Sequence, residues 1–250
     1  MSNDKILLVT GGSRGIGAAT ARAAGREGYF VIVNYVSDEQ AAHDVIADIE
    51  KAGGKGEAIK ADMGQEKDIS RLFKMVQKKF GRLTHLVNNA GIIGRASALV
   101  DADPVTLRTV IDVNVTGAIL VVREAIKQMS TARGGKGGAI VNLSSMAASL
   151  GAPGEYTWYA ASKGAIDSLT IGLAREVAKE GIRVNAVSPG LIATDIHAAG
   201  GQPDRLDRLA HLTPIGRAGT AEEVANAILW LLSDQASYVT GANVRVSGGR

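Results

Sequence analysis

Short apolar runs alternate with longer stretches of helical periodicity from one end of the chain to the other. The runs are Ile6–Val9, Phe30–Asn34, Glu57–Lys60, His85–Val87, Ala139–Leu143, Arg183–Val187 and Asn243–Val246. Helical patterns fill roughly 16–27, 39–52, 67–79, 105–130, 158–179 and 221–232. Most of the runs are continuously apolar rather than alternating, as expected of parallel strands covered on both faces. The alternation predicts repeated βαβ units, hence an α/β fold with a doubly wound parallel sheet of about seven strands.

No proline-rich or Ser/Gly-rich linker interrupts this pattern, so residues 1–250 read as a single domain. The least regular long interval runs over 189–218 and carries Pro189, Pro203 and Pro214. A segment of that length without strand character reads as a functional loop, here a substrate loop beyond the carboxyl ends of the strands. Cysteine is absent, which excludes disulfides, thiolate catalysis and cysteine-rich zinc sites. The histidines at 43, 85, 197 and 211 show no ligand spacing, so no metal is expected. Charge is nearly balanced, 28 basic against 25 acidic residues, with both signs interspersed; no nucleic-acid partner is expected. No secretory signal is visible at the N-terminus. No run approaches 18 continuous apolar residues, so neither a transmembrane helix nor a membrane partner is expected and the default location is cytoplasmic.

The first strand leads into Thr10-Gly11-Gly12-Ser13-Arg14-Gly15-Ile16-Gly17 and then a helix. Glycines at a strand-to-helix turn let a ligand approach the backbone, and the helix N-terminus offers unpaired N–H groups to a pyrophosphate. Dinucleotide folds commonly hold the ribose hydroxyls with an acid about 20 residues on. The second strand here ends in Asn34-Tyr35 with no carboxylate. Arg14 and Ser37 are placed instead to meet a 2′-phosphate, which favours NADP(H) over NAD(H). The other reading gives the acidic role to Asp38 or Glu39.

Tyr159 and Lys163 stand four residues apart in a helical stretch and so share a face. A free tyrosine has a pKa of about 10, and lowering it by about three units takes on the order of 4 kcal/mol of phenolate stabilisation. A neighbouring lysine cation is one source of that energy, so the pair reads as a tuned proton donor.

Together these features resemble the short-chain dehydrogenase/reductase family over essentially the whole chain. The family's Thr-Gly-x-x-x-Gly-x-Gly motif matches Thr10, Gly11, Gly15 and Gly17, and its Asn-Asn-Ala-Gly segment matches Asn88–Gly91. Asn114, Ser144-Ser145, Tyr159-x-x-x-Lys163, Pro189-Gly190 and the adenine-side acid Asp62 follow the same pattern. The resemblance implies a Rossmann-like fold and a catalytic set of Ser145, Tyr159, Lys163 and Asn114. Tyr159 would exchange a proton with the carbonyl or alcohol oxygen, and Ser145 would hydrogen-bond that oxygen. Lys163 would lower the phenol pKa and hold the nicotinamide ribose, and Asn114 would orient a water toward Lys163. Cofactor contacts would come from Gly11, Ser13, Arg14, Gly15, Ile16 and Gly17 in the turn, and from Asn34, Tyr35 and Ser37 after the second strand. Further contacts would come from Asp62 and Met63, from Asn89, Ala90 and Gly91, from Tyr159 and Lys163, and from Pro189, Gly190, Ile192 and Thr194.

Family members commonly place the serine thirteen residues before the tyrosine, but position 146 is methionine here. Ser145 lies fourteen residues ahead, with room for the extra residue in Ala152–Tyr156, and Ser144 remains a lesser candidate. The implied reaction is hydride transfer between NADP(H) and a small carbonyl/alcohol substrate, in a homotetramer packed through the helices near 105–130 and 158–179. 3-Oxoacyl-carrier-protein reductases are similar, but one position where they carry arginine is Glu180 here. A non-catalytic NADP(H)-binding regulator is the reading from a different class.

Overall fold

The computed structural model describes residues 5–250; residues 1–4, part of the segment read for a secretory signal, lie outside the described residues. Seven parallel strands form one sheet in the order β3-β2-β1-β4-β5-β6-β7. They are β1 (Ile6–Val9), β2 (Phe30–Tyr35), β3 (Lys55–Lys60), β4 (His85–Asn88), β5 (Gly138–Leu143), β6 (Ile182–Pro189) and β7 (Asn243–Val246). The connecting helices begin with α1 (Gly15–Arg26), α2 (Glu39–Lys51) and α3 (Glu66–Phe80), then α4 (Pro104–Ile111) and α5 (Ala118–Met129). There follow the short α6 (Ala147–Leu150), the long α7 (Thr157–Val177), the short α8 (Ile196–Ala199) and α9 (Arg205–Leu209), and α10 (Ala221–Leu232).

Strand residues are apolar in unbroken runs because the sheet is covered on both faces. Leu7, Val9, Val31, Val33 and Val141 face α1, α2 and α10, where Ala21, Val45, Ile49, Val224 and Ile228 meet them. Ile6, Leu8, Ile32, Leu86 and Ile140 face α3, α5 and α7, against Leu72, Phe73, Val76, Val122 and Val177. Each fully buried branched side chain is worth about 1.5–3 kcal/mol of transfer free energy, so the alternation within a run locks strand register. A third, smaller cluster of Ile93, Val110, Tyr156, Trp158 and Tyr159 lies outside both layers.

Strand order reverses between β1 and β4, which pair with each other while their following connections run to opposite sides. A ligand crevice at the carboxyl edge follows from that reversal. Two helices leaving this edge are treated differently. α2 is capped by Asp38, whose carboxylate accepts from the Ala41 amide, and α10 carries a full capping box between Thr220 and Glu223. α1 has no side-chain cap and no acid in its first turn, so its amides remain available.

Two expectations change. The helical interval 105–130 is not one α-helix: a π-helical turn, Asp112–Gly117, separates α4 from α5. Gly117 lies so close to the Met63 carbonyl that a Cβ there would clash, and the wide turn carries Asn114 inward. The combined helix Pro104–Met129 is also long and apolar enough by composition to cross a membrane, although Arg108, Asp112 and Arg123 break any continuous apolar run. Its Val121, Val122, Ala125 and Met129 are buried in the sheet-covering layer, as in a core helix. The 189–218 interval is more ordered than expected and holds α8, α9 and a 3-10 turn at Ala210–Leu212.

Candidate active site

The glycine turn is braced from both neighbouring strands. The Thr10 hydroxyl accepts from the Asn89 and Ala90 amides at 2.9 and 3.0 Å, and the Asn89 side-chain amide donates to the carbonyls of Thr10 and Gly11. Asn34 accepts from the Gly11 amide at 3.2 Å and donates to the carbonyls of Ile59 and Ala61. Asn34 is fully buried, so its contribution to a cofactor site lies in shaping the turn. Gly11 adopts φ +61°, and a Cβ on Gly17 would stand 2.4 Å from the Gly11 carbonyl oxygen. Neither position accommodates a side chain without movement.

Around this turn the expected cofactor groups converge from separate elements. Arg14 and Ser37 are exposed, and the Arg14 guanidinium has no hydrogen-bond or ion-pair partner among the described residues. The nearby carboxylates are engaged elsewhere: Asp38 caps α2, and Glu39 hydrogen-bonds the Tyr35 phenol, whose pKa is raised first by burial and then by that carboxylate. Asp62 accepts from the Gly64 amide at 2.8 Å, and Met63 is buried beside Gly117. Thr194 is next to Gly15, within 3.5 Å of where a Cβ would be. Pro189 accepts from the Met146 amide, Gly190 donates to Val246, and Ile192 is buried in a bridge to Gly219. Gly91 is exposed, and its Cα side faces Asn114 and the Lys163 ammonium. An uncapped helix start, an unpaired arginine and a carboxylate-free strand end suit a pyrophosphate and a further phosphate better than they suit a diol.

The groups expected to handle the proton meet at the carboxyl end of β5. Ser144 and Ser145 follow directly on β5, and both hydroxyls reach α7. The Ser144 hydroxyl is buried and donates to the Lys163 carbonyl at 3.3 Å. Ser145 hydrogen-bonds Tyr159 and also accepts from the Ala147 amide at 3.1 Å. Tyr159 and Lys163 share one face of α7, both nearly inaccessible, with Nζ 5.7 Å from the phenol ring centroid. Lys163 donates to the Leu143 carbonyl at 2.6 Å. Burial pushes its pKa down to about 8, partly offset by Asp167 one turn further along α7. Burial also pushes the Tyr159 phenol up, and only the Ser145 hydrogen bond pulls it back.

Asn114 is buried in the π turn, and it and Lys163 both face Gly91. Its amide clamps Ile92 in both directions, accepting from the amide and donating to the carbonyl at 2.8 Å each, and it reaches the Ser162 hydroxyl. Asn88 bonds Asn142 and the Ala118 carbonyl, a buried tie between β4, β5 and α5. Trp158 donates to the Ile93 carbonyl, and Tyr156 stacks edge-on to Tyr159; both wall the site. His197 bonds the Ile192 carbonyl, whereas His211 is exposed.

Two groups escaped sequence reasoning. Asp167, four residues after Lys163, accepts from Asn243 at 2.8 Å; the same helical spacing that pairs Tyr159 with Lys163 would have found it. Glu155 and Arg205 form a bidentate ion pair at 2.6 and 2.8 Å, joining residues with no local signal to connect them.

Residues 11–250 match a family described as Enoyl-(Acyl carrier protein) reductase. The chain is 51% identical over 245 residues to the uncharacterized oxidoreductase YgfF of Escherichia coli (strain K12), covering 98% of this chain and 99% of that one. Its structure superimposes on that of levodione reductase with a TM-score of 0.91 at 29% identity, covering 100% of this chain and 98% of the other. A short-chain dehydrogenase from Burkholderia cenocepacia J2315, solved in complex with NADP, gives a TM-score of 0.89 at 33% identity, covering 98% and 97%.

The burial of Lys163 carries a pH signature. Its pKa is about 8 folded against 10.5 unperturbed, so between those values the unfolded chain binds more protons and stability rises with pH. Below about 8 both states are protonated and the cost of burial is constant. In the absence of added nucleotide, the thermal midpoint of the wild type relative to Lys163→Met should therefore climb from about pH 8 to pH 10. A difference that is flat or falls over that window contradicts a depressed lysine.

Proposed function

The chain belongs to the short-chain dehydrogenase/reductase family of oxidoreductases, and on that premise we propose that it reduces a small carbonyl compound to its alcohol, or runs the reverse oxidation, through Ser145, Tyr159, Lys163 and Asn114. The cofactor is NADP(H). It supplies or accepts the hydride when bound. The observation that carries the reading is the Ser145–Tyr159 hydrogen bond beside a buried lysine, on the same sheet edge as an uncapped, glycine-lined helix start.

In the reductive direction Tyr159 gives its phenolic proton to the substrate oxygen as the carbonyl carbon gains hydride. The phenolate left behind is stabilised by the Lys163 ammonium on the same face of α7. Ser145 also donates to the substrate oxygen, stabilising the negative charge that builds there. Asn114 acts by clamping Ile92, which fixes the segment Gly91–Ile93 opposite the catalytic helix. Arg14 and Ser37 hold the 2′-phosphate, and the amides of the glycine turn hold the pyrophosphate.

A carrier-protein-bound acyl substrate is the second reading, favoured by the description of the matching family. The turn Ala178–Glu180 carries half-buried Glu180 at a position where such reductases carry arginine, which supports a free small molecule instead. We further propose that residues 1–250 act as one domain with the 189–218 interval over the substrate, in a cytoplasmic homotetramer. Val105, Ile111 and Ile119 along α4–α5 and Ile171 on α7 are exposed apolar side chains that such packing would cover. Light scattering of the purified protein should give the mass of four chains; a monomer mass removes this part.

Tyr159→Phe should reduce turnover of NADPH with a ketone panel by at least about a thousandfold while leaving NADPH binding within about threefold. Near-normal rates would sink the acid/base assignment. Arg14→Ala should raise the Kd for NADPH by about tenfold or more and that for NADH by less than about twofold, since the lost charge-assisted bond meets only the extra phosphate. Equal losses would remove Arg14 from that role.

A further inference from the structure

The longer loop between Ser145 and Tyr159 is spent on a contact that nothing in the reaction requires. Ala152 adopts φ +44°, the only non-glycine residue with positive φ among the described residues, and its carbonyl accepts from the Glu155 and Tyr156 amides. A residue in that region persists only when its surroundings over-determine it. Glu155 closes this turn and ties it to two other segments. Its carbonyl accepts from the Ser97 amide at 2.8 Å, and its carboxylate takes two guanidinium bonds from Arg205 on α9. The Arg205 side chain is 9% exposed and its carboxylate partner 29%, so this is not a loose surface pair. Gln202 bonds both partners, and the guanidinium lies over the Tyr156 ring, 5.1 Å from its centroid. Tyr156 in turn stands edge-on to Tyr159, 5.8 Å between centroids. On the same side, Gly200 accepts from the Ala96 amide and Ile196 packs against the Tyr159 cluster.

We propose that Glu155 and Arg205 form a specificity clasp that holds the α8–α9 segment closed beside Tyr159 and restricts the site to compact, uncharged carbonyl substrates. The proposal deepens the carbonyl-reductase reading and rests on it. Size selection follows from the connection: the clasp joins the loop that precedes the catalytic helix to the segment covering it, so a larger substrate must part them. Charge selection follows from the pairing of the buried charge. Glu155 is matched by Arg205, and the wall of Ile93, Tyr156 and Trp158 is apolar or internally bonded, while Arg95 beside Gly201 is exposed to solvent. The arginine beside Glu155 holds its carboxyl below the usual range, consistent with a pair that stays ionised at neutral pH. An anionic substrate would compete with Glu155 for the only buried guanidinium on this segment among the described residues.

The test uses the full chain with NADPH and two neutral ketones of one series, cyclohexanone and the bulkier 2-decalone, beside limited trypsin digestion. Glu155→Gln and Arg205→Lys should each raise KM for cyclohexanone about tenfold with kcat changed less than about threefold, because closure and not chemistry is lost. Both variants should lower the preference for cyclohexanone over 2-decalone, in kcat/KM, by about fivefold or more, and speed cleavage after Arg208 by about fivefold. The reversed pair, Glu155→Arg with Arg205→Glu, should recover part of both KM and trypsin resistance. A KM and a cleavage rate within about twofold of wild type overturn the clasp, as does a fall in kcat at constant KM. A reversed pair no better than the worse single variant does the same, since it assigns the residues to general packing. If the wild type reduces no neutral carbonyl, the carbonyl reading falls, and cleavage alone decides the clasp: acceleration supports it and an unchanged rate removes it.

Discussion

Parallel strands that stop together leave backbone donors and acceptors at one edge that no neighbouring strand can pair, and this protein is organised around satisfying them. Thr10, Asn34, Asn88, Asn89, Asn142 and Ser144 all stand at or just past the ends of β1, β2, β4 and β5. Each turns its polar atoms to a carbonyl, an amide or another of the set. A buried polar group left unpaired costs about 1–3 kcal/mol, so these side chains are as necessary to the edge as the valines are to the sheet. The functional turn is rigid because it is caught between two such residues, Asn34 on one side and Asn89 on the other.

The same edge makes the chemistry expensive and useful. Lys163 and Tyr159 are buried beside it, which disfavours the charged form of each: the lysine is pulled down to about 8 and the phenol is pushed up. Both groups are thus poised to exchange charge once a partner of opposite sign arrives, and the Ser145 hydroxyl is already placed to receive it. The Leu143 carbonyl keeps the ammonium satisfied meanwhile. Above the edge, the α8–α9 segment is fastened through Arg205 to the loop carrying Glu155, so access to the tyrosine and the fold of the loop before it are one mechanical unit.

The parallel sheet was legible because a strand buried on both faces must be a continuous apolar run, and the strand bounds differ only at their ends, as in β3 and β6. The glycine turn and the Tyr159/Lys163 pair were legible because their geometry is local, a turn and a helical i,i+4 spacing. The difference between Ser144 and Ser145 was not, since it depends on where α7 packs: Ser144 meets the Lys163 carbonyl and Ser145 the Tyr159 side chain. The π turn at Asp112–Gly117 was hidden for a similar reason: Asn114 widens the helix to clamp Ile92, a residue of another element.

By itself, then, the order of residues determined the layers, the strand count, the glycine turn at the start of α1 and the shared face of Tyr159 and Lys163 on α7, because each rests on periodicity or spacing within a few residues. Tertiary structure decided the state of charge of Lys163 and Tyr159, which depends on how completely neighbouring elements exclude water. It also decided that Asn34 braces the turn with a fully buried amide, and that Glu155 meets Arg205 across fifty positions of sequence. Burial and long-range pairing are properties of the folded surroundings, and no local pattern encodes them.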